Sequence, residues 1–352
     1  MAVTEQAERS IERPNGVASL EEPTRKAESL WADAFRRLLR NRAAVLGGIV
    51  IILLFLMAIF AEQLAPKGYK EQVLTDNNAA PEWITILFPT MKPKGVEGGY
   101  VSVNSDYPLG ADYVGRDILS RIIYGARVSL SVAIVGPAVS LIVGLIFGVI
   151  SGYLGGRVDN IMMRFVDIMY AFPTLLLIIL MMAFFRSTFV ESQEGTLAWT
   201  LNKIDTAFGG MLFIFVGIGI TSWMQMARLA RGQVLSVREK EFVEAARMIG
   251  LGTRGIMFRH ILPNILGPLI VAETLAIPRY ISTEAFLSFI GLGVNKPMPS
   301  WGSMISEGSQ TLRSYPNQAI FPALALAITM FAFNFLGDGL RDALDPRMRG
   351  VD

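Results

Sequence analysis

The chain has 352 residues, 52% of them hydrophobic and only 18% charged, and its mean hydropathy of +0.44 sets it apart from ordinary soluble proteins of this size. The net charge of +2 is spread over several loops instead of massed on one element, which argues against a nucleic-acid partner. The absence of cysteine excludes disulfides, thiolate metal sites and a cysteine nucleophile, and a lone histidine with no His/Glu cluster leaves no enzymatic constellation.

Residues 1–27 are polar and rich in Glu and Arg, and are predicted to form a disordered arm. In 30–42, Leu30, Trp31, Ala34, Phe35, Leu38 and Leu39 recur at helical spacing with Arg36, Arg37 and Arg40 between them. Two readings fit: an amphipathic helix lying on the lipid of the cytoplasmic leaflet, or an N-terminal extension of the first span. Ala43–Ala61 carries no charge and has the length of about 20 apolar residues that a crossing needs. It exceeds the apolar core of about 7–15 residues in a cleaved signal, and it follows 42 mostly polar residues. Residues 62–127 read as a segment outside the membrane, broken by Pro81, Pro89, Pro93, Gly95, Gly98 and Gly99, then helical from Asp117 onward into the second span. Asp112 and Asp117 there suit turn and helix-cap roles better than metal ligation.

Five more spans follow: Val128–Ile150, Phe165–Phe185, Met211–Met226, Ile261–Ile281 and Ala319–Leu336. Gly144, Gly148 and Gly152, four residues apart in the second span, suit close helix approach in lipid. Pro137, Pro173, Pro268 and Pro278 are expected to kink their spans, and Pro278-Arg279 to divide 261–292 into a span and a short helix, EAFLSFIGLG, at the outer surface. The expected architecture is an all-α membrane protein. It comprises a cytoplasmic arm (1–42), a first transmembrane helix (43–61), an extracytoplasmic segment (62–127), a transmembrane core (128–336) containing a loop at 227–260, and a cytoplasmic tail (337–352).

Lys and Arg set the orientation. Six of them precede the first span between Arg25 and Arg42, and seven (Arg228, Arg231, Arg238, Lys240, Arg247, Arg254 and Arg259) lie in the loop between spans four and five. Both termini and that loop are therefore expected in the cytoplasm.

That loop is the most structured polar stretch of the chain. With Glu241–Ile249 as a helix, Phe242, Ala245, Ala246 and Ile249 share one face, while Lys240, Glu244 and Arg247 stand at spacings that allow ion pairs. Gly250 and Gly252 stop the helix, and a further helical turn leads to Pro263 and the fifth span. A short rod joined to spans at both ends suits a docking element, and suits a plain connector equally.

Glu244-Ala245-Ala246, Gly250 and Leu262-Pro263 resemble the EAA loop of ABC-importer permeases, departing from it at His260, where the pattern has isoleucine. PLGADYVGRDILSRIIYGARVSL (108–130), RFVDIMYAFPTLLL (164–177), RHILPN (259–264), EAFLSFIGLGV (284–294), PSWG (299–302) and NFLGDGLRDALDPRMR (334–349) are similar to the C-type permease subunit of dipeptide and oligopeptide importers. The arm, the stretch near 70–105 and the loop near 186–208 lie outside those motifs. The resemblance implies the six-helix fold of type I ABC-importer permeases with a cytoplasmic coupling helix, and a translocation path for di- or oligopeptides shared with a second homologous permease. It implies two ABC ATPase subunits that bind ATP and Mg, and an extracytoplasmic substrate-binding protein. This chain has no G-x-x-x-x-G-K-[ST] phosphate loop and needs no cofactor of its own. The implied docking residues are Phe242, Glu244, Ala245, Ala246, Arg247, Gly250 and Pro263, with Glu244 as polar anchor, Ala245 and Ala246 in close contact and Gly250 at the turn.

Charged residues inside spans are candidates for the path. Glu273 suits either the path or a helix-to-helix hydrogen bond. Asp167 is expected to pair with a base such as Arg164, and Glu284 to sit at the outer mouth. Asp338, Arg341, Asp342 and Asp345 share a face after the last span, and His260 reads as a loop hydrogen-bonder. The alternatives are the same importer carrying nickel chelates, glutathione or oligosaccharides, or a secondary transporter or channel, against which stands the lack of visible inverted repeats.

Overall fold

The computed structural model describes residues 30–190 and 192–344; the arm 1–27 and Asp345 lie outside them. Among these residues the regular structure is helical, with three isolated β-bridges as the only strand-like pairings. In chain order the helices are α1 (Leu30–Arg40), α2 (Arg42–Ile59), α3 (Ala61–Leu64), α4 (Glu82–Leu87), α5 (Ile118–Leu154), α6 (Gly156–Ala171) and α7 (Thr174–Val190). They continue with α8 (Leu197–Ala207), α9 (Met211–Arg238), α10 (Glu241–Met248), α11 (Thr253–Ile256), α12 (Leu262–Phe289), α13 (Trp301–Ser309) and α14 (Asn317–Leu344).

Five helical stretches are long and apolar enough to cross a membrane, and α6 with α7 makes a sixth if that bent pair is one span. The bend, 81°, goes beyond the kink expected at Pro173 and parts the expected span Phe165–Phe185 into two helices. Pro173 forces it: Phe172 before it is extended (ψ 133°), as steric clash with the proline ring requires. Pro137, Pro268 and Pro278 by contrast lie inside helices that continue past them. The expected division at Pro278-Arg279 does not occur, and EAFLSFIGLG is not a separate surface helix. Its first residues complete α12 and turn inward, where the buried Glu284 carboxylate accepts the hydroxyls of Ser129 on α5 and Ser288 one turn on. In lipid no water is at hand for the backbone groups that a broken helix would release, so α12 stays intact.

The Asn41 side chain accepts from the amides of Ala43 and Ala44, so α1 is a separate helix and not an extension of α2. Small residues decide the core of the bundle. A β-carbon on Gly144, Gly148 or Gly152 would come within 2.6 Å of Met226, 2.5 Å of Ala230 and 2.9 Å of Val234, so α5 and α9 pack nearly backbone to backbone. The start of α2 lies against the end of α14 (Ala44 at Gly339), and α12 runs between α5 and α14.

The segment 62–117 folds against the start of α14 and against α13. Ala80, Ile84, Met91 and Val101 cluster with Tyr315 and Phe321, while Asn317 and Gln318 donate to the carbonyls of Leu109 and Ala111. Asp112 and Asp117 take the turn and cap roles expected of them. Asp112 accepts the amides of Val114 and Arg116, and Asp117 caps α5 through the amide of Ser120, 2.7 Å away. Burial pushes the Asp117 carboxyl above the usual carboxylate range. Asp112 also binds the guanidinium groups of Arg116 and Arg121, each at 2.6 Å, and both reach Glu307 on α13 at 3.1 and 2.9 Å. Four mutually paired, largely buried charges thus fasten the segment to the bundle at the end opposite α10.

Candidate coupling surface and translocation face

The helix α10 caps one end of the bundle, held between the end of α9 and the start of α12. Val243 and Ala246 are buried, packed with Val234 and Val237 of α9 and with Ile256, Ile261 and Ile265 beyond the turn. Ala246 therefore belongs to the inward face, which corrects its expected contact with a partner. Neighbouring positions on a helix point about 100° apart, so the two alanines separate, and Ala245 alone stays exposed. With it are exposed Phe242, Met248 (82%) and Ile249 (79%). The sequence reading found three of these four but missed Met248.

The glycine stop has a definite geometry. Gly250 is left-handed (φ 82°), its amide bonds to the Arg247 carbonyl at 2.9 Å, and the Leu251 amide bonds to the Ala246 carbonyl at 3.0 Å. This is the Schellman closure, which satisfies the last carbonyls of α10 and turns the chain back toward the bundle. The ion pairs that spacing allows among Lys240, Glu244 and Arg247 do not form among the described residues. Arg247 instead lies over the Tyr153 ring at the end of α5, 5.8 Å away, and Glu244 stands exposed. The return into α12 is a π-helical stretch, Met257–Ile261, just before Pro263 in the first turn of α12. Proline offers no amide to carbonyl 259, and the wider turn absorbs the misfit, with the Leu262 amide bonding to the Met257 carbonyl. His260 sits in that stretch, not in a loop, with its ring 6.5 Å from Phe242.

Farther into the bundle lies a polar face formed by α6, α7, α9 and α12. Glu273 is buried, its two oxygens accepting the hydroxyls of Ser140 on α5 and Tyr280 on its own helix, at 3.1 Å for the latter. Of its two readings, the helix-to-helix bond is the one the geometry meets, although the residue also borders a recess of about 240 Å³. Asp167 pairs with Arg228 of α9 at 2.6 Å and not with Arg164. Below it Asp159 takes a bidentate bond from Arg231, 2.6 Å on each arm, and the hydroxyl of Ser151. On the same face Arg279 and Gln225 are exposed in mid-bundle, joined by a 2.9 Å hydrogen bond. Neither was singled out from sequence as a path residue, although a charge in an apolar run was the available signal.

The comparisons with known proteins decide what this bundle is. Residues 144–350 match the family model described as binding-protein-dependent transport system inner membrane component, and residues 29–81 match the N-terminal transmembrane domain of oligopeptide transport permease C. The chain belongs to the binding-protein-dependent transport system inner membrane component family. It is 39% identical over 329 residues to the oligopeptide transport system permease protein OppC of Bacillus subtilis, covering 94% of this chain and 93% of that one. To the dipeptide transport system permease protein DppC of the same organism it is 36% identical over 326 residues, covering 92% and 88%. The fold matches a chain of the MetNI methionine ABC transporter in an inward-facing form, with a TM-score of 0.50 and 16% identity, over 65% of this chain and 98% of that one. The chain is thus a multi-pass inner-membrane permease of the ABC-importer kind. The family match also spans 186–208, which the quoted motifs left out.

Proposed function

We propose that this permease forms part of a translocation path for di- or oligopeptides together with a second homologous permease, and that two ABC ATPase subunits drive it through α10. An extracytoplasmic binding protein delivers the cargo. ATP and Mg are bound by the ATPases. The chain termini and α10 lie on the cytoplasmic side, and segment 62–117 lies on the other, in keeping with the excess of Lys and Arg near α10. Peptide cargo is supported by the names of the aligned relatives.

The observation that carries the coupling role is the exposed row Phe242, Ala245, Met248 and Ile249, on a helix whose other side is buried in the bundle. An apolar row beside the small Ala245 suits a cleft on a soluble partner. ATP binding closes the ATPases, their clefts carry α10 with them, and α9 and α12, covalently joined to it, tilt and open the path outward; hydrolysis resets them. The two states differ in the contact that α10 makes, as a ligand-driven switch requires. Pro263 and the π-helical stretch sit where that motion enters α12. Phe242, Glu244, Ala245 and Arg247 form the docking surface, Gly250 the turn, and Ala246 the joint to the bundle. Asp167 and Glu273 brace the path wall through Arg228 and Ser140.

The test is co-purification. The wild-type permease, expressed with its candidate ATPases, is expected to bring them through detergent extraction, and Ala245→Trp to lose them while still holding the second permease. Retention of the ATPases by Ala245→Trp sinks this assignment of the docking face.

A further inference from the structure

Arg279 is exposed well inside α12. It stands ten positions before Phe289, about 15 Å from that end of the helix at 1.5 Å per residue. An arginine side chain is too short to reach the interface from there, and a cation facing lipid at that depth costs about 2.5–3.5 kcal/mol. The face that bears it must therefore meet water or protein. Three adjoining recesses, of about 240, 320 and 380 Å³, converge on this one side chain. Their polar borders include Ser222, Gln225, Tyr170, Thr174 and Thr283.

The guanidinium is held without a carboxylate bonded to it, although Glu273 nearby attracts it through space. It donates one hydrogen bond to the Gln225 amide oxygen at 2.9 Å and lies 5.7 Å from the Tyr280 ring, and among the described residues it makes no ion pair. The neighbouring acids are already engaged, Glu273 by Ser140 and Tyr280, and Asp167 by Arg228. Of its five N–H donors, at least four remain for a ligand, arrayed in the planar fork that fits a carboxylate on two arms.

We propose that Arg279, positioned by Gln225, is the point in the translocation path that binds the C-terminal carboxylate of the passing peptide. This rests on the peptide reading above. It assigns the path wall of this chain a cationic character, where the sequence offered acidic residues, Glu273 and Asp167, as candidates for the path. Because the site is open to the recesses, the carboxylate is held loosely enough to leave again.

The test uses the complete importer in proteoliposomes, with receptor saturated by one of two peptides of the same sequence, one a free acid and one a C-terminal amide. With wild type, ATP-driven uptake of the acid is expected to exceed that of the amide. In Arg279→Gln, acid uptake is expected to fall about tenfold with amide uptake unchanged, as loss of a charge-assisted bond implies. Arg279→Lys, which keeps the charge, is expected to recover part of the preference, and Gln225→Ala to weaken it. An unchanged acid-to-amide ratio in Arg279→Gln overturns the proposal. So does loss of the second permease on size-exclusion of that variant while Arg279→Lys stays assembled, since Arg279 would then pair with a carboxylate of the partner subunit. Failure of wild type to take up either peptide removes the peptide reading itself.

Discussion

Gly250 is where the backbone geometry of the turn meets the proposed coupling. Its φ of 82° is one that a β-branched side chain rarely adopts, although a β-carbon there would meet nothing within 4 Å. Gly250→Val is therefore expected to strain the turn by about 1–3 kcal/mol without a clash. Membrane insertion and pairing with the second permease should persist while ATP-driven uptake is lost, and normal uptake by the variant would show that the turn does not transmit motion. Glu273 poses a different question, that of a buried acid with both oxygens occupied. Glu273→Gln keeps much of that bonding, whereas Glu273→Leu leaves the Tyr280 hydroxyl without its carboxylate acceptor, at about 1–3 kcal/mol, while Ser140 retains the Ser222 carbonyl at 3.2 Å. Thermal unfolding in detergent is expected to rank wild type and Gln close together, with Leu well below. The sequence marked Glu273 as out of place in an apolar run but not its partner, because Ser140 lies on another helix, 133 positions away.

Among the elements, the α5–α9 pair rests on the stripe of Gly144, Gly148 and Gly152. Four-residue spacing made this face visible in the sequence, yet not which helix it receives, since that depends on side chains at Met226, Ala230 and Val234. Gly148→Leu forces the helices apart and is expected to cost about 1–3 kcal/mol or more, read as a lowered Tm in detergent. Gly232→Ala, where a β-carbon meets nothing within 4 Å, serves as the control and should leave Tm unchanged or slightly raised. The prolines taught a second lesson. Kinks are expected at all four prolines; Pro173 breaks its helix sharply, while Pro137, Pro268 and Pro278 lie inside helices that continue past them. On α10 the periodicity found the exposed apolar row but placed Ala246 in it, because a helix of 8 residues with apolar positions on two sides does not tell from sequence which side the bundle takes.

At the scale of the whole molecule, the permease has two differently built ends. One carries segment 62–117, fastened by Asp112, Arg116, Arg121 and Glu307, residues the sequence showed as scattered charges, with Glu307 lying 191 positions from Arg116. Glu307→Leu strips two largely buried guanidinium groups of one partner and is expected to destabilise this end by on the order of 3 kcal/mol. Limited proteolysis should then cut within 62–117 while the spans stay intact. The other end carries α10, whose inner face is part of the core and whose outer row is bare. The central claim is that this bare row is where force enters. Since the chain has no cysteine, single cysteines can be placed at 243, 245 and 249 and labelled with a maleimide in the isolated permease and in the full importer. Positions 245 and 249 are expected to label readily in the isolated permease and to be protected when the ATPases are bound, with position 243 poorly reactive throughout. Equal labelling of 245 and 249 with and without ATPases, in every nucleotide state, would contradict the account.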